Sequence, residues 1–208
     1  ITNEINNQNN LRYQGQKFDN LSEIISYASE NDISRIVVPI DLDSNKILYN
    51  FITSKFFESV STGYLNTQRL SINCSLFISL SKKNMSENEK ISSAQMFHFD
   101  SDFSKFLKLY MYLSDVNKVN GPHVYVKQTH IKKHKKHEFQ KGYSDKQILK
   151  NYSSVETLIG KKGTMFFEDS FGLHKGETPL ESYRIILNIH YGRGNIKYSK
   201  YDKYHSFK

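Results

Sequence analysis

The chain has 208 residues, enough for one ordinary domain with a packed core, and 24% of them are charged. Gly and Pro are sparse at 10 and 3, while 14 Tyr and 14 Phe supply aromatic bulk, which excludes a fibre or a low-complexity chain. Lys and Arg exceed Asp and Glu by 29 − 21 = +8, a weak pointer to anionic partners in a chain that is Lys- and Asn-rich throughout.

No apolar run approaches the 18 or so residues that cross a bilayer. The single cysteine, Cys74, lies in an alternating apolar segment and reads as a buried, reduced thiol, which favours a cytoplasmic address. The sequence opens at Ile1 rather than Met, so what precedes it, a cleaved targeting segment included, stays open.

In chain order, residues 1–20 are Asn- and Gln-rich and read as a loosely attached arm before one domain over 21–208. Leu21, Ile24, Ile25 and Ala28 have helical spacing, and Ile47, Leu48, Phe51 and Ile52 repeat it into Phe56 and Val60, so two helices are expected before residue 62. Between them, 36–40 is a short strand that Pro39 confines to an edge or an end.

Beyond residue 68 the period becomes two: Leu70, Ile72, Cys74, Leu76, Ile78 and Leu80 form one strand face. Further strands are expected at 94–99, 106–113, 123–127, 164–168 and 184–191, separated by turns at 120–122 and 160–163. Helices first and many short strands after predict a mainly β barrel or sandwich, its core at about 68–195, flanked by N-terminal helices over 21–62.

His98-Phe-Asp100 ends one of those strands, and a period of two points His98 and Asp100 to one side. His174 follows the strand 164–168 after a turn and can supply a third ligand; two histidines and a carboxylate on one metal face leave positions open, as in non-haem iron(II) oxygenases. Arg184, ten residues on, opens the last strong strand and can grip a carboxylate with both arms of its guanidinium. Taken alone, the tripeptide fits a surface His beside a loop Asp, and Arg184 fits a surface pair with Glu181.

The order of H-x-D, Asn120-Gly-Pro122, Gly163, His174 and Arg184 resembles the phytanoyl-CoA dioxygenase-like branch of the Fe(II)- and 2-oxoglutarate-dependent oxygenases, from about residue 68 onward. The resemblance implies a double-stranded β-helix, or jelly roll, with Fe(II), 2-oxoglutarate and O2, the cosubstrate leaving as succinate and carbon dioxide. It gives His98, Asp100 and His174 the facial triad, Arg184 the distal carboxylate of 2-oxoglutarate, and Tyr110 the aromatic place beside the cosubstrate. Two departures stand out: Tyr110 replaces a usual tryptophan, and Gly176 stands where a hydroxyl is common. Related halogenases lack the carboxylate, so Asp100 favours a hydroxylase or a desaturase.

The segment 127–141 holds six lysines, three histidines and one acid. It is either a solvated charge run or, from its position in the family, a basic lid in which Lys132, Lys133, Lys135 and Lys136 favour an anionic small molecule. His123 and His190 read as packed residues and His205 as part of an exposed tail. The alternatives are a non-catalytic jelly-roll binding module and an oxygenase of protein or nucleic acid. Against the nucleic-acid reading, DNA-repair demethylases carry an arginine six residues after the distal histidine, and Leu180 stands there. Substrate identity and oligomeric state are not legible.

Overall fold

The structure, a computed structural model, describes residue 5 and residues 11–101, 105–132, 142–193 and 203–206. It is mainly β, and among the described residues no helix is long and apolar enough to cross a membrane.

Two short strands, β1 (Leu11–Tyr13) and β2 (Gln16–Phe18), form a hairpin with Leu11 and Phe18 buried. This corrects the expectation of a loose arm for 11–18: Gln14 and Gly15 both take positive φ, and the tight turn lets two apolar residues in a polar stretch reach the core. Helix α1 (Leu21–Glu30) follows, its first turn closed by the Asn20 side chain accepting from the Glu23 amide, and it buries Leu21, Ile24 and Ala28. Strand β3 (Arg35–Pro39) ends at the proline, as the sequence requires.

The second expected helix is two helices, α2 (Lys46–Ile52) and α3 (Lys55–Leu65), so three lie between residues 21 and 65. The Thr53 hydroxyl donates to the Tyr49 carbonyl and Ser54 is extended, which breaks the ladder and turns the axis. The buried positions record the break, running Leu48, Ile52, then Phe57, Ser61, Leu65, while Ile47 and Phe56 face outward.

The large sheet has the order β11-β4-β10-β5-β8, where β4 is Arg69–Leu80, β5 Phe106–Tyr112, β8 Met165–Glu168, β10 Tyr183–Gly192 and β11 Lys203–Ser206; all its pairings are antiparallel. β3 and β11 share one edge of β4 in tandem, opposite 75–79 and 69–72 respectively. The sheet therefore runs beyond residue 195, and His205, expected in an exposed tail, is partly buried and bonded to Tyr49.

One face of this sheet carries Leu70, Ile72, Cys74, Leu76, Ile78, Leu109, Leu187 and Ile189 and packs under α1, α2 and α3 as the main core. The other face, with Ser75, Ser79, Tyr110, Arg184 and Asn188, looks toward a smaller sheet of order β7-β6-β9, where β6 is His123–Val126, β7 Val155–Leu158 and β9 His174–Gly176. Two sheets closing on an interior of mixed polarity give the expected jelly roll.

Between β4 and β5 lies α4 (Glu87–Ser92), and α5 (Asp145–Asn151) precedes β7; each is closed by a capping box, at Ser86–Glu89 and Ser144–Gln147. The expected strand at 94–99 is reduced to isolated bridges at Phe97 and His98, because Ala94 takes positive φ at the end of α4 and the ladder starts only after it.

Strand β10 is bonded on both sides, so its apolar side chains have no slack. Leu187→Ala should lower the unfolding free energy by about 2 to 5 kcal/mol, read from urea denaturation.

Candidate metal and dicarboxylate site

His98 and His174 are joined through their backbones. Each amide donates to the other's carbonyl, His98 to His174 at 2.9 Å and His174 to His98 at 2.8 Å, forming an antiparallel bridge at the rim of the small sheet. Residues opposed in this way carry their side chains on one face, and the two imidazole centroids lie 4.3 Å apart. Asp100 follows two residues on, its amide held by the Ser170 carbonyl at 2.8 Å.

The ligand atoms of His98, Asp100 and His174 all lie within 4.8 Å of one another. His98 Nε2 is 3.8 Å from Asp100 Oδ1, and His174 Nε2 is 3.6 Å from Asp100 Oδ2. Neighbouring ligands bonded at about 2.1 Å to one ion sit about 3 Å apart, so a small contraction closes the set.

Both imidazoles are pre-oriented. His98 Nδ1 lies 2.9 Å from the Met96 carbonyl and His174 Nδ1 lies 2.9 Å from the Gly172 carbonyl. A carbonyl only accepts, so each Nδ1 carries the proton and each Nε2 presents a lone pair to the shared centre. Burial lowers the pKa of both rings, that of His174 to about 4, which keeps them neutral and able to ligate. Burial opposes ionisation of Asp100, but the charge of the Lys108 ammonium and its hydrogen bond outweigh it and hold the carboxyl well below its usual range. Two neutral imidazoles and one carboxylate form a donor set that fits a divalent metal.

Three further groups surround that centre. Lys108, on the site face of β5, donates to Asp100 Oδ2 at 2.5 Å. Glu168, at the end of β8, meets His123 Nε2 at 2.6 Å and lies 3.7 Å from His174 Nδ1. Burial pushes Glu168 up to about 7 and His123 down to about 3, so the pair is stable holding a single proton between them. His123 is thus packed and hydrogen-bonded, as expected, and braces the carboxylate behind a candidate ligand. His190 is packed against Phe106, its ring neutralised by burial.

A cavity of about 160 Å³ contains the three candidate ligands together with Lys108, Tyr110, Arg184 and Arg35. Arg184 is buried inside it and makes no pair with Glu181; one Nη donates to the Gly121 carbonyl, the other to Ser79 Oγ at 3.2 Å, and Nε has no partner. A buried charged donor left open in a polar cavity is a fit for an anionic ligand. Tyr110 lines the same cavity, its ring 5.1 Å from that of His123.

Two glycines lie beside the guanidinium: the Gly121 carbonyl accepts from it, and Gly176 leaves it room. Gly121 has φ +73 and a Cβ there would lie 2.5 Å from the Glu177 carbonyl; a Cβ on Gly176 would lie 2.5 Å from Arg184 Nη2. The absent hydroxyl at 176 therefore has a physical reason, since that space belongs to the arginine.

Arg35, Lys108 and Glu168 were not among the expected site residues. The alternation along β5 did place Lys108 on its polar face, but nothing local marks Arg35, whose strand mates Val37 and Pro39 are exposed. Of the basic segment, Lys132 is exposed, and Lys133, Lys135 and Lys136 lie outside the described residues. Lys127 and His130 line a second, more apolar cavity of about 410 Å³ between Tyr64, Tyr125 and Phe166, which does not include the triad.

No protein-family profile matches the chain, and no curated protein matches it by sequence. Among solved structures, HygX from Streptomyces hygroscopicus, crystallised with nickel and 2-oxoglutarate, matches at 13% identity over 82% of this chain and 78% of its own, with a TM-score of 0.53. SnoK, described as a non-haem alpha-ketoglutarate-dependent carbocyclase from nogalamycin biosynthesis, matches at 11% identity over 88% of both chains, TM-score 0.57. EctD from S. alaskensis with bound iron matches at 14% identity over 76% of this chain and 56% of its own, TM-score 0.53. At this identity the likeness is one of fold.

Gly176→Ser should displace the Arg184 guanidinium. The expected cost is about 1 to 3 kcal/mol in chemical denaturation, with the triad residues unaffected.

Proposed function

We propose that the chain is an Fe(II)- and 2-oxoglutarate-dependent dioxygenase that hydroxylates a small molecule, with release of succinate and carbon dioxide. One observation carries the reading: two Nε2 lone pairs and a carboxylate converge in a cavity that also holds a buried guanidinium with an open Nε donor. In support, HygX is also seen with hygromycin B, and the epimerase SnoN with iron, alpha-ketoglutarate and nogalamycin RO, so this fold serves small-molecule substrates elsewhere.

In this reading His98, Asp100 and His174 hold the iron, and Arg184 takes the distal carboxylate of 2-oxoglutarate. Iron with 2-oxoglutarate and O2 supplies oxidation of an unactivated C–H bond, driven by decarboxylation of the keto acid. The chain's own contribution is orientation and charge. The Met96 and Gly172 carbonyls fix both imidazole tautomers, Lys108 keeps Asp100 ionised, and His123 with Glu168 backs His174. Tyr110 and Ile186 wall the cavity and keep water from the reacting end. Asp100 occupies the ligand position that a halogenase would leave for a halide, which favours hydroxylation or desaturation. The order of motifs also resembles the phytanoyl-CoA dioxygenase-like branch.

Anaerobic addition of Fe(II) and then 2-oxoglutarate should produce a visible charge-transfer band. His98→Ala, Asp100→Ala or His174→Ala should abolish the band and metal binding without unfolding the chain, because the 98–174 bridge is made by backbone groups that these changes leave in place. A well-folded wild type that gives no band under these conditions is a binding module instead. Arg184→Met should weaken 2-oxoglutarate by about 2 to 5 kcal/mol in calorimetry, with metal affinity retained.

A further inference from the structure

Arg35 opens β3, and its Cα partner on β4 is Ser79. Ser79 is also the partner of Arg184 on the other side, in β10. The two arginines therefore flank one serine in a single row across three strands, about 10 Å apart at the backbone. Both line the cavity that contains the candidate metal ligands.

Their environments differ. Arg184 is tied to Gly121 and Ser79. Arg35 lies over the Phe77 ring at 4.5 Å, and among the described residues its side chain has no hydrogen bond or ion pair. Stacking on the ring fixes the plane of the guanidinium while leaving its edge donors open.

Charge sharpens the point. Burial lowers the pKa of both arginines; Arg35 opposes the charge on Arg184, while Tyr110 and Asp100 favour the charge on Arg35. Lys108 adds a third cation, and Asp100, which it already pairs, is the carboxylate nearest to it. A cavity with this surplus is relieved by an anion, and most by a dianion. Arg35, Arg184 and the triad line one cavity of only about 160 Å³, space for a single small ligand to meet both guanidiniums.

We infer that Arg35 is a second guanidinium for the dicarboxylate cosubstrate, holding its distal carboxylate jointly with Arg184 from the opposite side of Ser79. A carboxylate offers about four lone-pair sites, enough for both arginines at once. This assignment rests on the 2-oxoglutarate reading above and adds to it a residue from β3, at the edge of the large sheet.

The test is calorimetric titration of 2-oxoglutarate into the Ni(II)-loaded full chain, as wild type, Arg35→Met and Arg35→Lys. Loss of charge-assisted hydrogen bonds predicts an affinity about 10 to 100 times weaker in Arg35→Met, with an intermediate value in Arg35→Lys and unchanged Ni(II) affinity and melting temperature. A second probe, 2-oxobutyrate, chelates a metal but has no distal carboxylate, so Arg35→Met should leave its affinity where the wild type has it. Wild-type affinity for 2-oxoglutarate in Arg35→Met, or an equal loss for 2-oxobutyrate, overturns the assignment. Absence of 2-oxoglutarate binding in the wild type overturns the cosubstrate reading itself, a separate outcome. Should Arg35→Met fail to fold, the same two-probe comparison on Arg35→Lys, which keeps charge and stem but lacks the fork, decides the matter.

Discussion

The bridge between His98 and His174 is the constraint on which the rest of the site depends. Two backbone hydrogen bonds set those residues opposite each other, and the pleat then leaves both imidazoles on one face with no further instruction from the side chains. The Met96 and Gly172 carbonyls turn that placement into chemistry by choosing the same tautomer twice. Asp100 can join because its own amide is anchored to Ser170, which stops the chain from drifting away from the rim after a bridge of only two residues.

Around this centre the fold separates two demands that conflict in most small domains. The helix-facing side of the large sheet is almost wholly aliphatic and carries the stability. The opposite side carries serines, an asparagine, a lysine and arginines, groups that are costly to bury unless each finds a partner or a ligand. Lys108 finds Asp100, His123 finds Glu168, and Arg184 is partly satisfied by a carbonyl and a hydroxyl. Arg184 Nε stays open at the cavity where an anion would lie, and functional sites tend to keep such polar imbalance.

Much of this was legible in the sequence. The change of period at residue 68 announces β4, and the alternation along 106–112 and 184–190 assigns Lys108, Tyr110, Arg184 and Asn188 to the interior face. The convergence of His98, Asp100 and His174 was legible as spacing, though for a different local reason: 94–99 is not a strand, and His98 reaches its place by pairing with a segment 76 residues away. Long-range register is what local pattern cannot show, and it hides Arg35 as well, whose importance comes from facing Ser79 across β3 and β4. The helix break at Thr53 and Ser54 left a trace, since the buried positions step by five between Ile52 and Phe57, but a continuous apolar spacing masked it. The hairpin at 11–18 was masked by its polar composition, because two buried side chains are too few to set a period.

The one sulfhydryl in the chain occupies the aliphatic side of β4, fully covered, and burial drives its ionisation far above the neutral range. Since only a thiolate attacks alkylating reagents or peroxide, the folded molecule is chemically silent at this position. Cys74 thereby acts as an internal clock of global opening: its rate of modification counts the moments when β3, β4 and β10 come apart, and a bound occupant of the neighbouring cavity would slow that count without touching the sulfur.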